Sequence, residues 1–283
     1  MDGKIVAEDV KKDVRRKVAM LKERGVAPHL AGVQVGEEQS SKKYLEYKQR
    51  DCMEVGIDST KLELPANVSE EELSAKLKEL SDNAQVHGIL LQLPVPDHIS
   101  RFRVLGAIKP EKDVDGLHPT NVGELMLGNY SYESSLLPCT PKGIMRLLDY
   151  YGVEVEGRFA VIINRSDLVG KPLFKMLLDR NATVVVCHSK TRDVEKYCRQ
   201  ADILVSAVGR RPSFLVTSKL VKEGAVVVDV GISYIGGKLY GDVNFDDVVG
   251  KASYVTPMPG GVGPMTRAML LENTVIAAGK QTK

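Results

Sequence analysis

Along this chain the spacing of apolar residues switches repeatedly between the helical and the extended period, which divides it into alternating helices and strands. Val10, Val14, Val18 and Leu21 recur at helical spacing over residues 8–24, and Gly25 closes that segment. Residues 30–35 form an apolar run too short for a helix and read as a strand ending at Gly36. Residues 40–55 are helical again, with Ser40 or Ser41 as the cap. Residues 58–64 read as a strand, and Ser69 with Glu72 forms a capping box for a helix to Asp82. Residues 88–96 are a buried-strand run that ends in prolines.

A helix to about Tyr151 follows the prolines of Pro138-Cys139-Thr140-Pro141, and the composition changes after it. Apolar runs then recur at 159–163, 183–187, 203–207 and 225–230, separated by helical stretches at 172–179, 193–200 and 217–222. Such regular alternation implies right-handed crossovers and a parallel sheet. The expected fold is α/β, with an N-terminal α/β substrate domain and a C-terminal Rossmann-like, parallel-sheet dinucleotide domain. We place the domains at 1–138 and 139–283, with a last helix over about 265–280 packing back towards the first domain.

Composition narrows the function without naming it. The chain has 283 residues, 43% hydrophobic and 27% charged, with a net charge of +2, which gives no basis for a nucleic-acid partner. Cys52, Cys139, Cys187 and Cys198 form no CxxC pair and no metal-ligand spacing; they read as free thiols of a reducing compartment, with no metal site. No apolar run approaches bilayer length and the N-terminus has no apolar signal core, so the expectation is a cytoplasmic protein without a membrane partner.

Four places carry candidate chemistry, and each has a plainer reading. Tyr44 and Lys48 lie four apart and share a helix face, although that helix is rich in solvated charges. Gln92 is a polar residue in a buried run; it either ties down a loop or faces a ligand at a strand end. Asp113 and Asp115 lie in a loop beside Gly116, where either could make an Asx-type turn. The stretch from Thr256 to Thr266 holds Gly260, Gly261 and Gly263 among three prolines and three other apolar residues, and reads as a phosphate loop, a pocket floor or a sharp turn.

The nucleotide fingerprint is irregular, because Asn164-Arg165-Ser166-Asp167-Leu168-Val169-Gly170 keeps a single glycine. The end of the second strand is more informative. Where an NAD enzyme places an acid for the ribose hydroxyl, this chain has His188-Ser189-Lys190-Thr191, with Arg165 on the first turn; a hydroxyl and cations favour a 2′-phosphate and hence NADP. The structural alternative makes Ser189 the cap of the next helix.

Taken together, these residues resemble the bifunctional methylenetetrahydrofolate dehydrogenase/cyclohydrolase family of bacterial and archaeal type, over essentially the whole chain. The resemblance is carried by Ser41-x-x-Tyr44-x-x-x-Lys48, Gln92-Leu93-Pro94-Val95-Pro96, Lys112-Asp113-Val114-Asp115-Gly116, Pro138-Cys139-Thr140-Pro141, Arg165-Ser166-x-x-Val169-Gly170-x-Pro172, Asp229-Val230-Gly231-Ile232 and Pro257-x-Pro259-Gly260-Gly261-Val262-Gly263-Pro264-Met265-Thr266. It implies oxidation of 5,10-methylenetetrahydrofolate with NADP, followed by hydrolysis of the methenyl product to 10-formyltetrahydrofolate. It also implies a homodimer. Lys48 would be the general acid/base, Tyr44 would stack on the folate, Gln92 would bond near Lys48, and Asp115 would grip the pterin. Leu91, Leu93, Pro257, Pro259, Gly260, Gly261, Val262, Gly263 and Pro264 would contact the substrate, the last stretch as floor and hinge of an interdomain cleft. Asn164, Arg165, Ser166, Ser189 and Ile232 would hold the cofactor.

Three positions depart from the family pattern: Asn164 stands for a glycine, Met258 for a valine and Asn244 for an aspartate. Shikimate-type dehydrogenases share the size and domain order but give no reason for the Pro-Gly stretch. Short-chain dehydrogenases use Tyr-x-x-x-Lys within the nucleotide domain rather than before it. An NADP-binding module with a decayed site would lack catalytic residues that are present here.

Overall fold

The computed structural model describes residues 1–281, without the side chains of Gln39, Ser40, Ser41 and Lys43. Ser40 and Ser41, expected as the cap, fall inside the first turn of the helix that begins at Gln39 after Glu38, and the side chain of Ser41 of the first motif lies outside what is described. The chain forms two compact units, one of Glu8–Cys139 with Arg267–Lys283, the other of Met1–Ala7 with Thr140–Thr266.

In the unit containing Glu8–Cys139, helix α1 (Gly3–Glu23) turns Val10, Val14, Val18 and Leu21 inward. Strand β1 (His29–Val35) is central, with six consecutive buried residues, as a strand covered on both faces requires. Helix α2 (Gln39–Val55) leads to β2 (Asp58–Leu64), and α3 (Glu70–Asp82) leads to β3 (Gly88–Leu91). Both strands pair parallel to β1, in the order β2-β1-β3. The capping box is half formed: Ser69 Oγ accepts from Glu72 N at 3.0 Å. Val33, Leu73, Leu77, Ile89 and Val104 form the centre of this core. The strand expected over 88–96 ends at Leu91, because Gln92 N makes a last bond to Val33 O and Pro94 has no N–H to continue the ladder. Two short helices, α4 (Arg101–Leu105) and α5 (Pro119–Leu127), flank a loop that periodicity does not resolve.

The other unit opens with α6 (Cys139–Tyr150), whose first residue belongs to the preceding unit. It then alternates β4 (Phe159–Ile163), α7 (Gly170–Asp179), β5 (Thr183–Cys187), α8 (Val194–Cys198), β6 (Ile203–Ser206) and β7 (Val226–Asp229). The hairpin β8 (Ser233–Ile235) and β9 (Lys238–Tyr240) follows, then α9 (Phe245–Val248), β10 (Tyr254–Val255) and α10 (Val262–Lys280). The main sheet is wholly parallel, in the order β10-β7-β6-β4-β5, so chain order reverses direction on either side of β4. That reversal opens a crevice at the strands' C-terminal ends. The helix expected over 217–222 is instead a single 3-10 turn at Ser218–Leu220. The first residues of the chain differ from a continuous division at 138/139. Met1 donates its amine to Val255 O at 2.6 Å, Asp2 N donates to the Tyr151 hydroxyl at 2.7 Å and Gly3 N to Gly260 O at 2.9 Å, which fixes them to the nucleotide unit. Among the described residues no helix is long and apolar enough to cross a membrane.

Candidate functional site

Helix α2 buries Leu45, Cys52 and Val55 against its own unit and closes at Gly56 in the left-handed conformation. Tyr44 and Lys48 therefore project along a neighbouring face. Lys48 is buried, at 6% exposure, and its Nζ donates to Gln92 Oε1 at 3.1 Å while lying 4.7 Å from the centre of the Tyr44 ring. Gln92 also donates from Nε2 to Leu93 O at 2.8 Å, so its amide is turned with its oxygen towards the amine. It thus ties the loop, the plainer of its two readings, and also meets Lys48. Leu91 is buried at the end of β3, and Leu93 is half-buried.

The two acids of the following loop have separate environments. Asp113 is buried at 2% exposure and accepts from His118 N at 2.7 Å and Asn121 Nδ2 at 2.8 Å. Burial pushes its carboxyl up to about 6 despite those donors. Asp113 thus fastens the loop, through partners five and eight residues on rather than through an Asx turn, which leaves Asp115, half-buried, as the carboxylate acting on Lys48. The turn that follows Asp115 is held closely. Gly116 has φ of +70°, and a Cβ there would lie 2.3 Å from the carbonyl carbon of Leu137. Asn273 of α10 reaches the same place, donating from Nδ2 to Val114 O at 2.9 Å and to Leu137 O at 2.8 Å.

Desolvation is the largest influence on Lys48 and lowers its pKa. Asp115, Cys139 and Cys52 oppose it, and Arg267 adds to it. Desolvation likewise raises the Tyr44 phenol, with Arg267 pulling it back, so the hydroxyl stays protonated and able to donate. Cys52 is pushed up to about 12 by burial and remains a thiol. All four cysteines are buried thiols outside any disulfide, and no group of three metal-ligating side chains gathers among the described residues.

The second site lies in the nucleotide unit, at the reversal of strand order. A cavity of about 620 Å³ opens beyond β4, β5 and β6, lined by Asn164, Arg165, Ser166, Ser189, Arg210 and Phe214 among others. Among the described residues no carboxylate lines it, while two arginines do. Ser189 is not the cap of the next helix. That helix begins at Val194 after Asp193, and the turn is closed instead by Thr191 Oγ1, which accepts from His188 N at 2.9 Å. Asn164 shows what replaces the missing glycine. Its Oδ1 accepts from Ser166 N at 2.7 Å and Gly170 N at 3.1 Å, and its Nδ2 donates to Ala207 O at 2.6 Å, so the side chain occupies amides at the start of α7. Ile232 is 50% exposed and lies outside the cavity lining.

Sequence reasoning missed the acids beneath this crevice. Asp242 accepts from Ser206 Oγ at 2.7 Å, Val208 N at 2.6 Å and Gly209 N at 2.9 Å. Asp229 accepts from Gly231 N, Asp242 N and Val243 N. Burial, reinforced by Asp242, pushes Asp229 up to about 6. Both acids hold loops at strand ends, and only the Asp-Val-Gly string hinted at one of them.

The Pro-Gly stretch is mostly packed against itself. A Cβ on Gly261 would stand 2.7 Å from Pro257 O and from Thr256 Cβ, whereas one on Gly263 would meet nothing within 4 Å. Val262 is buried and begins α10, earlier than the expected start at residue 265. Pro257 and Pro264 are half-buried and Pro259 is exposed.

Comparison with known proteins agrees with this geometry. Residues 1–115 match the catalytic-domain model of the tetrahydrofolate dehydrogenase/cyclohydrolases, and residues 138–282 match their NAD(P)-binding domain model. A protein of Moorella thermoacetica named "Bifunctional protein FolD" is 50% identical over 279 residues, covering 98% of both chains. The crystal structure of the bifunctional methylenetetrahydrofolate dehydrogenase/cyclohydrolase of Campylobacter jejuni superposes with a TM-score of 0.94 at 48% identity, covering 99% of this chain and 98% of that one. The Trypanosoma brucei enzyme, solved with NADP and an inhibitor, gives a TM-score of 0.93 at 37% identity and covers 99% and 97%. With both domain models matched in order and full-length relatives at this identity, the chain belongs to the tetrahydrofolate dehydrogenase/cyclohydrolase family.

Proposed function

We propose that the chain oxidises 5,10-methylenetetrahydrofolate to the methenyl cation with NADP and hydrolyses that cation to 10-formyltetrahydrofolate. One observation supports this above the others: a buried lysine amine, its pKa lowered, held on the oxygen of a strand-end amide and against a tyrosine ring. The cofactor cavity fits NADP, because it offers Arg165, Arg210 and the Ser189 hydroxyl and, among the described residues, no carboxylate to repel a 2′-phosphate.

NADP, when bound, supplies the hydride acceptor. The chain's part in that step is positioning, since hydride transfer needs the donor carbon and the acceptor at near contact more than it needs a titrating group. In the hydrolysis, Lys48 in its neutral form takes a proton from the water that adds to the methenyl carbon. It returns that proton to the ring nitrogen as the carbon–nitrogen bond breaks, and the proton left on the added oxygen passes to solvent as the formyl C=O forms. Gln92 holds the amine in place through Oε1, an acceptor that fixes direction without adding charge. Tyr44 offers an aromatic face and a protonated hydroxyl, and Asp115 accepts from the pterin's N–H groups. Leu91 and Leu93 would form the apolar edge of the pterin pocket. Arg165, Ser166 and Ser189 would take the cofactor's phosphates, with Asn164 ordering their turn. Of the three loop glycines, Gly263 leaves a face a ligand can approach, while Gly261 serves the loop's own packing. We place the protein in the cytoplasm as a homodimer.

The test is incubation with methylenetetrahydrofolate and NADP or NAD, following the methenyl absorbance and its decay. Formation and then loss of methenyl faster than in buffer supports both activities; no methenyl with either cofactor overturns the reading.

A further inference from the structure

The catalytic constellation leaves one charged feature of the same unit unused. Tyr47 lies one helical turn from Tyr44 on α2, and two guanidinium groups stand over its ring. The Arg267 guanidinium carbon is 5.5 Å from the ring centre and that of Arg50 is 5.0 Å away. Such stacking holds a guanidinium by its face and leaves its edge donors free for a planar anion. Arg267 comes from α10, turns its Nε to Asp51 Oδ2 at 3.2 Å and keeps 23% of its side chain exposed. Among the described residues its terminal nitrogens have no hydrogen-bond partner.

Charge balance leaves these cations in excess. Asp51 is buried and already paired with Lys11 at 2.9 Å, so Arg267 is its second cation. Lys11 also bonds Glu54 at 2.7 Å, and Glu54 is shared with Arg15. Arg50 adds a positive charge with no carboxylate partner among the described residues. Arg267 is also the charged group acting most strongly on the hydroxyl of Tyr44, the residue proposed to meet the folate.

We propose that Arg267 and Arg50, braced on Tyr47, bind the carboxylates of the substrate's glutamyl tail. This rests on the folate reading above and extends it. A tetrahydrofolate carries its carboxylates at the end remote from the reacting carbon, so they must lie towards the rim while the pterin meets Lys48 and Asp115. A rigid pair of planar cations one turn along the helix from Tyr44 matches that chemistry. It also predicts tighter binding as glutamates are added.

The experiment compares three substrates in the dehydrogenase assay: 5,10-methylenetetrahydrofolate with one glutamate, the same with three, and 5,10-methylenetetrahydropteroate, which has none. Arg267→Met should raise KM for the glutamate-bearing substrates by about tenfold, the loss of one charge-assisted contact. Arg50→Met should raise them by less, and KM for the pteroate should stay within about twofold in both. Arg267→Lys should recover part of the loss. A rise shared equally by the pteroate, or no rise with either variant, overturns the proposal while leaving the enzyme reading intact. If the parent protein converts none of the three, the folate reading fails and this proposal falls with it. Circular dichroism of each variant separates misfolding from lost affinity, and Arg50, exposed on the helix surface, gives a test that does not disturb the core.

Discussion

Asn273→Ala should weaken both the fold and the folate site, because one buried amide holds the two chain segments that fix the Asp115 turn. Its Nδ2 is the donor to Leu137 O at 2.8 Å and to Val114 O at 2.9 Å, and the residue is wholly buried. Truncation leaves Leu137 O without that donor, a loss of about 1–3 kcal/mol for a buried carbonyl. Val114 O keeps the thiol of Cys139 at 3.4 Å, a weak donor, so its loss is nearer ~1 kcal/mol. Together the change should cost about 2–4 kcal/mol, a large part of the roughly 5–15 kcal/mol typical of a folded protein. Urea unfolding followed by circular dichroism reads this as a lower midpoint with an unchanged slope. Asn273→Asp is the sharper companion, since it keeps the shape but turns an acceptor towards two carbonyls, and should be worse than alanine. Because Asp115 stands between the two anchored carbonyls, KM for methylenetetrahydrofolate should rise while KM for NADP does not. A midpoint change worth less than about 0.5 kcal/mol in Asn273→Ala would refute the assignment of Asn273 as the clamp of this turn.

Lys48→Met keeps the aliphatic stem and removes the base, so methenyl hydrolysis should fall about 10²–10⁴-fold while methylene oxidation persists; hydrolysis at the parental rate would remove Lys48 from the mechanism. The hydrolytic rate should climb with pH on an ionisation below the ordinary lysine value, since the neutral amine is the active form and burial lowers its pKa. Asp115→Asn removes the carboxylate that favours the ammonium, so at saturating substrate the limb should move to lower pH; a move to higher pH would contradict the proposed pairing. Arg165→Ala should raise KM for NADP far more than for NAD, because only NADP brings a phosphate for the guanidinium to pair with; equal effects would place Arg165 elsewhere.

Much of the fold is legible because it is repetitive. Four of the five strands of the nucleotide sheet are apolar runs that periodicity finds, and β10, with two residues, is too short to carry a period. Helical spacing alone puts Tyr44 and Lys48 on one face, and an amide inside a buried run announces a required hydrogen bond at Gln92. What the sequence could not separate were the two acids of Asp113-Val114-Asp115. The distinction is made by His118 N and Asn121, partners that only the folded loop brings to Asp113. Arg267 and Asn273 were hidden for the same reason, since both lie on the C-terminal helix and act on segments far earlier in the chain. Asn164 read as a flaw in a glycine fingerprint, but its side chain bonds the amides that a bare turn would leave open.

These placements give a reason why the proposed base is a lysine held by an amide rather than by an acid. A carboxylate directly paired with Lys48 would stabilise the ammonium and leave little free base at neutral pH. Gln92 supplies the same direction through a neutral oxygen, and Asp115, the carboxylate that acts on Lys48 among the described residues, is half-buried and is the acid we propose for the pterin. The price falls on the folded state. An unfolded Lys48 would keep its proton at neutral pH, whereas the buried one holds it less tightly, so the site opposes folding there and is relieved only as pH rises towards the ordinary lysine value. Arg267 pushes in the same direction as burial, and it is also the cation assigned to the glutamyl tail. A bound tail carboxylate would offset that positive charge, while the methenyl cation formed beside Lys48 would restore it. The amine would then lose its proton most readily when the cation to be hydrolysed is present, which ties the base to the step that needs it.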